Sequence, residues 1–196
     1  MTAPVVISTV SEIVAPSPKV AGGVWFAPLG TDLPEDATTP LSNDFLNLGR
    51  VKDDGIRRTE DRANTKVYDW GGNTVAILQT QFGISIMFDL LQIVNADVQS
   101  VAHGADNVEV TPATATSGNL IKSTINAKLL DTGVWVFDSY YNKASGRLIL
   151  PYARATKVDG PTWSHKELAM FKITLESMPD NDNVHAVEYW DDGNLV

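Results

Sequence analysis

Near the end of the chain, Ala169, Phe171, Ile173 and Leu175 alternate with Met170, Lys172, Thr174 and Glu176. Successive side chains of a strand point to opposite faces, so this period of two specifies a strand with one face on a core and the other toward water. The same period marks Phe82, Ile84, Ile86 and Phe88, which alternate with Gly83, Ser85 and Met87. Upstream, Val75 and Ile77 lie on the other parity, and a bulge or bend at residues 79–81 would reconcile the two sets. Ile121, Ser123, Ile125 and Ala127 share one face of a further strand. Residues 134–141 are aromatic and β-branched. Residues 147–158 read as a long strand interrupted by Pro151, which requires an edge position or a bulge. A last strand spans 184–190.

Turn residues punctuate these runs. Asp53, Asp54 and Gly55 form a hairpin signal, and Gly71, Gly72 and Asn73 mark another turn. Further breaks fall at Gly118, Gly133, Gly146, Gly160 and Gly193. Many short strands at regular spacing predict a mainly β fold, a sandwich or small barrel. One short flanking α-helix is expected at about 95–103. Asn95 can cap it, Asp97 sits in its first turn, Val98, Val101 and Ala102 form one stripe, and Gly104 can end it.

The 196 residues suffice for one core. The expected division is an extended N-terminal arm, residues 1–21, and a single domain, residues 22–196. Pro4, Pro16 and Pro18 forbid a regular central strand or helix across the arm, which reads equally well as a frayed terminus. It has no basic leader and does not read as a signal peptide. No run is long enough to span a bilayer, so no membrane insertion is expected.

The most unusual stretch is GGVWFAPLGTDLPEDATTPLSNDFLNLGRV, from Gly22 to Val51. It opens as a buried strand and becomes a long polar loop, residues 28–47. A loop of that length inside a compact domain is uncommon unless it has a function.

Chemistry-bearing motifs are scarce. The net charge of −9 disfavours a surface that grips nucleic acid. The chain has no cysteine, which excludes disulfides, Cys-ligated metals and a thiol nucleophile. His103, His165 and His185 are isolated in sequence, at no metal-ligand spacing, and read as solvated or packed side chains. Asp180, Asn181, Asp182 and Asn183 begin like a calcium loop, but His185 and Asp191 stand where Gly and Glu are needed, so a polar hairpin loop is expected. The glycine pairs lack a following Gly-Lys-Ser/Thr, and the neighbouring acids Glu60 and Asp61 lie in a mixed-charge run that reads as a solvated face. No enzymatic activity is expected, with no catalytic, metal-binding or cofactor-binding residues and no cofactor.

Four pieces in fixed order carry more information: APLGTDLP at 27–34, LGRVKDDG at 48–55, WGG at 70–72, and FDLLQIVNADVQSVAHG at 88–104. Together they span roughly residues 22–110. This part of the chain resembles the major tail proteins, or tail tube proteins, of long-tailed, non-contractile phages that infect actinobacteria. The family often carries an acid just after the WGG turn, where this chain has Asn73. The second half resembles the family only in its style of alternating strands.

The resemblance implies a tail-tube-type β-sandwich or small barrel. It further implies a structural virion protein whose homohexameric rings stack into the tail tube, the conduit for genome delivery. The partners implied are other copies of the chain, the tape measure protein, and the tail tip and terminator proteins. DNA would pass through the lumen without specific binding. The location implied is the virion tail, after assembly in the host cytoplasm. On this reading residues 31–45 dock on the next ring or a neighbouring subunit, with Asp32, Leu33, Pro34, Glu35, Asp36, Leu41 and Phe45 as interface residues. Deleting residues 32–43 should then leave a folded monomer unable to form tubes. The N-terminal arm could take a similar part. Ser85, Thr174 and Glu176 are candidates for the face that lines the lumen. The alternative from another class is a phage-associated β-sandwich that binds carbohydrate, with Trp25, Trp70, Trp135, Trp163 and Trp190 as sugar platforms.

Overall fold

The structure is a computed structural model that describes residues 14–18 and 22–194. Most of the expected N-terminal arm, residues 1–13 and 19–21, lies outside the described residues. Among the described residues the fold is mainly β, with one short α-helix and a 3-10 turn at Ala105–Asn107. In chain order the strands are β1 (Ser17–Pro18), β2 (Val24–Pro28), β3 (Leu46–Asn47), β4 (Arg57–Tyr68) and β5 (Thr74–Leu90). The helix α1 (Ala96–His103) follows, then β6 (Val108–Thr111), β7 (Leu120–Ser123), β8 (Thr132–Tyr141), β9 (Ala144–Asp159), β10 (Phe171–Ser177) and β11 (Val187–Asp191).

Nine strands form one antiparallel sheet in the order β3-β2-β8-β9-β10-β5-β4, with β1 added on β8 and β11 on β9. The expected alternation appears in β10, where Phe171, Ile173 and Leu175 are buried and Lys172 and Glu176 are exposed. The sheet curls over its own core. Phe88 of β5 meets Trp135 and Phe137 of β8 with ring centroids 6.0 and 5.4 Å apart, although two strands separate β5 from β8 in the sheet order. Ile84, Ile86, Phe88 and Leu90 from one limb and Val24, Trp135, Phe137 and Leu150 from the other fill this core.

Pro151 lies in a central strand, so the edge reading does not apply; the bulge reading does. The β8–β9 register shifts between Gly133 and Trp135, opposite residues 150–153. On its other side β9 pairs with β11 up to Ile149 and with β10 from Ala153 onward. Proline, which has no N–H to donate, therefore sits where β9 changes partner. The bulge expected at residues 79–81 is present: Ala63 faces Gln81, whereas Asn64 faces Gln79.

Asn95 caps α1, its side chain accepting from the N–H of Asp97 at 2.9 Å. Val98, Val101 and Ala102 are buried, and the His103 ring meets Phe171 edge-on at 5.5 Å. Burial holds the His103 imidazole below its usual pKa.

Three expectations change. The strands are not uniformly short: β4, β5 and β9 have 12, 17 and 16 residues. The segment expected as a strand through Ala127 ends at Ser123, and Ile125 is exposed. Gly55 does make a turn, its N–H donating to Lys52 O at 3.0 Å, but the turn does not join a hairpin. Both of its flanks run along β5: Val51 bridges Leu90 and Arg57 pairs with Met87.

Candidate functional site

Beyond the bulge at residues 63–64, β4 and β5 leave the body of the molecule as a two-stranded arm. From Ala63 to Tyr68 the rise is roughly 20 Å at about 3.3 Å per residue. The turn at its tip is built by Asp69, which accepts the Asn73 N–H at 2.8 Å and the Asn73 side-chain amide at 3.1 Å. These bonds from Asn73 hold the Asp69 carboxyl below the usual range. Gly72 adopts φ 83°, which favours glycine.

The bulge keeps the apolar face continuous. Phe82 stands opposite Arg62, and after the extra residue Ile77 stands opposite Lys66, so Ile77 and Tyr68 extend the core-facing side of the sheet. They are 62% and 57% exposed, since no other strand covers them. Val67 and Leu78 lie on the reverse face and are also exposed. Trp70, at the tip, is fully exposed. An isolated two-stranded ribbon is marginal in water, and clustered exposed apolar side chains mark an interaction surface.

The loop at residues 28–47 behaves differently. Its middle folds back on the outer face of β8 and β9. Ala37 and Phe45 are buried and Leu41 is half-buried, the latter two with Ala27, Val134, Val136 and Ile149. The Asp36 carboxylate accepts Thr39 Oγ1 and the Thr39 N–H, both at 2.5 Å, and the Thr38 N–H at 2.6 Å. These bonds, led by the Thr39 hydroxyl, hold Asp36 well below the usual carboxylate range. Of the expected interface residues, Phe45 and Leu41 are thus anchors within the chain. Asp36 shapes the loop, and Asp32, Leu33 and Glu35 are exposed.

Ser85, Thr174 and Glu176 do come together. Glu176 registers opposite Ser85, and Thr174 opposite Met87, on the face of the β9–β10–β5–β4 limb that turns away from the core. Charges of both signs lie on this face: Lys172 is opposite Asp89 and Asp159, Glu176 is opposite Arg154, and Lys157 and Arg57 share the row of Thr174 and Met87.

The tryptophans are not gathered into one platform. Trp135 is buried in the core and Trp25 half-buried. Trp70, Trp163 and Trp190 are exposed on three separate segments. His165 is exposed, while His185 Nδ1 lies 3.0 Å from Ser177 Oγ and its ring meets Phe82 edge-on. Asp180 closes the polar loop before β11, accepting the N–H groups of Asp182 and Val184. Among the described residues, no three His, Asp or Glu side chains gather to hold a metal ion, and no helix is long and apolar enough to cross a membrane.

The projecting arm was not singled out in the sequence. Its signal was the parity change at residues 79–81, which left Val75, Ile77 and Trp70 beyond the last residues that the core could bury.

No family model and no curated protein matches the chain. A solved structure that matches is the cryo-EM structure of a sheath–tube complex of an extracellular contractile injection system in the extended state. The identity is 10%, the match covers 93% of this chain and 98% of that chain, and the TM-score is 0.40, a loose likeness.

Proposed function

We propose that this chain is a structural tube-forming protein of the tail tube type, which assembles with copies of itself into rings that stack. The observation that carries the reading is the β4–β5 arm, with apolar side chains on both faces and Trp70 fully exposed at its tip. Such an arm has a use once a second copy covers it, and burying it supplies association energy at roughly 25 cal/mol per Å².

The family resemblance over residues 22–110 supports the finer reading. Six copies close a ring, and the stacked rings form the tail tube of a virion, assembled in the host cytoplasm. The tube encloses the tape measure protein, meets tail tip and terminator proteins at its ends, and later conducts DNA. A heterologous contact that closes by rotation makes the ring, and β4 offers it a long outer edge. Asp32, Leu33 and Glu35 are exposed on the anchored loop, with Pro34 half-buried between them, where a neighbouring subunit can reach them. The face that bears Ser85, Thr174 and Glu176 suits the lumen. Its cations Arg154, Lys157 and Lys172 are interspersed with the acids Asp89, Asp159 and Glu176, so a passing phosphate backbone meets both signs.

Light scattering and negative-stain electron microscopy across a concentration series test the reading. The expected result is rings or tubes of uniform width from the native chain, and a folded monomer from Trp70→Ala combined with Ile77→Ser. A native chain that stays monomeric at every concentration and binds a glycan would overturn it in favour of a carbohydrate-binding module.

A further inference from the structure

β4, one of the two strands of the arm, begins beside a groove. A cavity of about 560 Å³ opens there, lined by Pro16, Pro18, Ile56, Leu148 and Trp190, with Asp53 and Asp54 among its polar residues. Trp190 is 52% exposed, and its ring lies so close over Gly146 that a side chain at that position would collide with it.

We infer that the groove is the receptor for the arm of a second copy, with Trp70 seating against Trp190 and the two prolines. This rests on the self-assembly proposed above and adds the surface that receives the arm.

Placement, chemistry and charge each support the match. The groove borders the start of β4, at Ile56 and Arg58, and the tip follows its end at Tyr68. Twelve residues of strand separate donor and receptor by on the order of 40 Å. A donor at one end of an element and a receptor at the other make a head-to-tail contact, which closes into a ring if its rotation closes and otherwise propagates as an open stack. An exposed indole and a mouth lined by proline, isoleucine, leucine and tryptophan are complementary in chemistry, and aromatic anchors in pockets dominate interface energetics. Lys66 is the one Lys or Arg in residues 63–79, and Asp53 stands at the groove, whose other acids already have cations: Asp54 pairs with Lys52, Glu188 with Arg58 and Asp138 with Arg147. The one acid of the arm, Asp69, is engaged with Asn73 inside the turn.

Because the chain has no cysteine, single-cysteine variants report the contact cleanly. Thr74→Cys marks the arm, Ser17→Cys the groove rim, and Glu176→Cys a distant face. After mixing and assembly, a short bismaleimide linker should join Thr74→Cys chains to Ser17→Cys chains. It should not join Thr74→Cys chains to each other or to Glu176→Cys chains. Lys66→Glu should raise the concentration needed for assembly by about tenfold or more, and mixing with Asp53→Lys chains should restore it. Assembled particles in which Thr74→Cys links only to Glu176→Cys, or to nothing, would overturn the groove assignment and leave self-assembly intact. Absence of any particle larger than a monomer from the native chain would overturn both.

Discussion

Asp138 and Arg147 face each other across β8 and β9, the Arg147 Nε at 2.7 Å from Asp138 Oδ1 and Nη2 at 3.1 Å from Oδ2. Both side chains are almost fully buried. The third nitrogen, Nη1, crosses to the long loop and donates to Asp36 O at 3.0 Å and Thr39 O at 2.8 Å. One planar guanidinium thus satisfies a buried carboxylate and two loop carbonyls at once, a geometry that lysine cannot reproduce.

Removing one partner breaks a buried charge pair, and removing Arg147 also takes away both bonds to the loop. Arg147→Met should therefore destabilise the fold by about 3–5 kcal/mol in urea denaturation. Arg147→Lys should retain part of the ion pair yet release the loop, seen as faster proteolysis within residues 29–44. The combination Asp138→Val with Arg147→Met should cost less than the two single changes added together. Strict additivity would argue against the pairing as the source of the effect.

Phe45 and Leu33 should behave oppositely. Phe45 is 6% exposed and packs over Val136 and Ile149, so Phe45→Ala should cost about 3 kcal/mol. Leu33 is 41% exposed, so Leu33→Ala should change monomer stability by less than about 0.5 kcal/mol and show its effect in assembly. For the same reason, deletion of residues 32–43 should yield an unstable, aggregating chain, since it uncovers the outer face of β8 and β9. The expectation of a folded monomer from that deletion is replaced. A soluble deletion variant with native thermal stability would contradict this packing.

Acid should leave the Asp36 turn intact well below the usual carboxylate range. The folded-state pKa is depressed, so its stabilisation is present above the unfolded value of about 3.9 and is lost as pH falls through the folded value. In an NMR titration, the Thr38 and Thr39 amide resonances should hold steady through pH 3.9 and shift only below it. Movement centred near pH 4 would mean that these hydrogen bonds do not form in solution. Asp36→Asn should show no such acid step.

The helix cap offers a local test. Asn95→Ala should cost about 1 kcal/mol, and Asn95→Ser should restore most of it. Equal stability of all three chains would show that packing of Val98 and Val101 alone holds α1.

The strands, the helix with its cap, and the bulge at residues 79–81 were legible because each follows from local periodicity or a short-range hydrogen bond. Pro151 was half legible. Its missing N–H called for an edge or a bulge, and partner exchange along β9 decided for the bulge. The turn at Gly55 shows the limit in another way. A turn signal fixes four residues of backbone and does not say that the flanking segments pair with each other.

For the candidate interface, the chain by itself determined a mainly β fold with an overlong loop at residues 28–47 and a resemblance confined to its first half. It did not determine which projection is free. The loop looked unanchored because its tether, Arg147, held in turn by Asp138, lies about a hundred residues away, and the burial of that pair depends on strands that meet only in the folded sheet. The arm looked ordinary because β4 and β5 alternate like any half-buried pair. Only the tertiary structure, which ends the core at Phe82 while both strands run on, leaves Tyr68, Trp70 and Ile77 with nothing of their own chain to cover them.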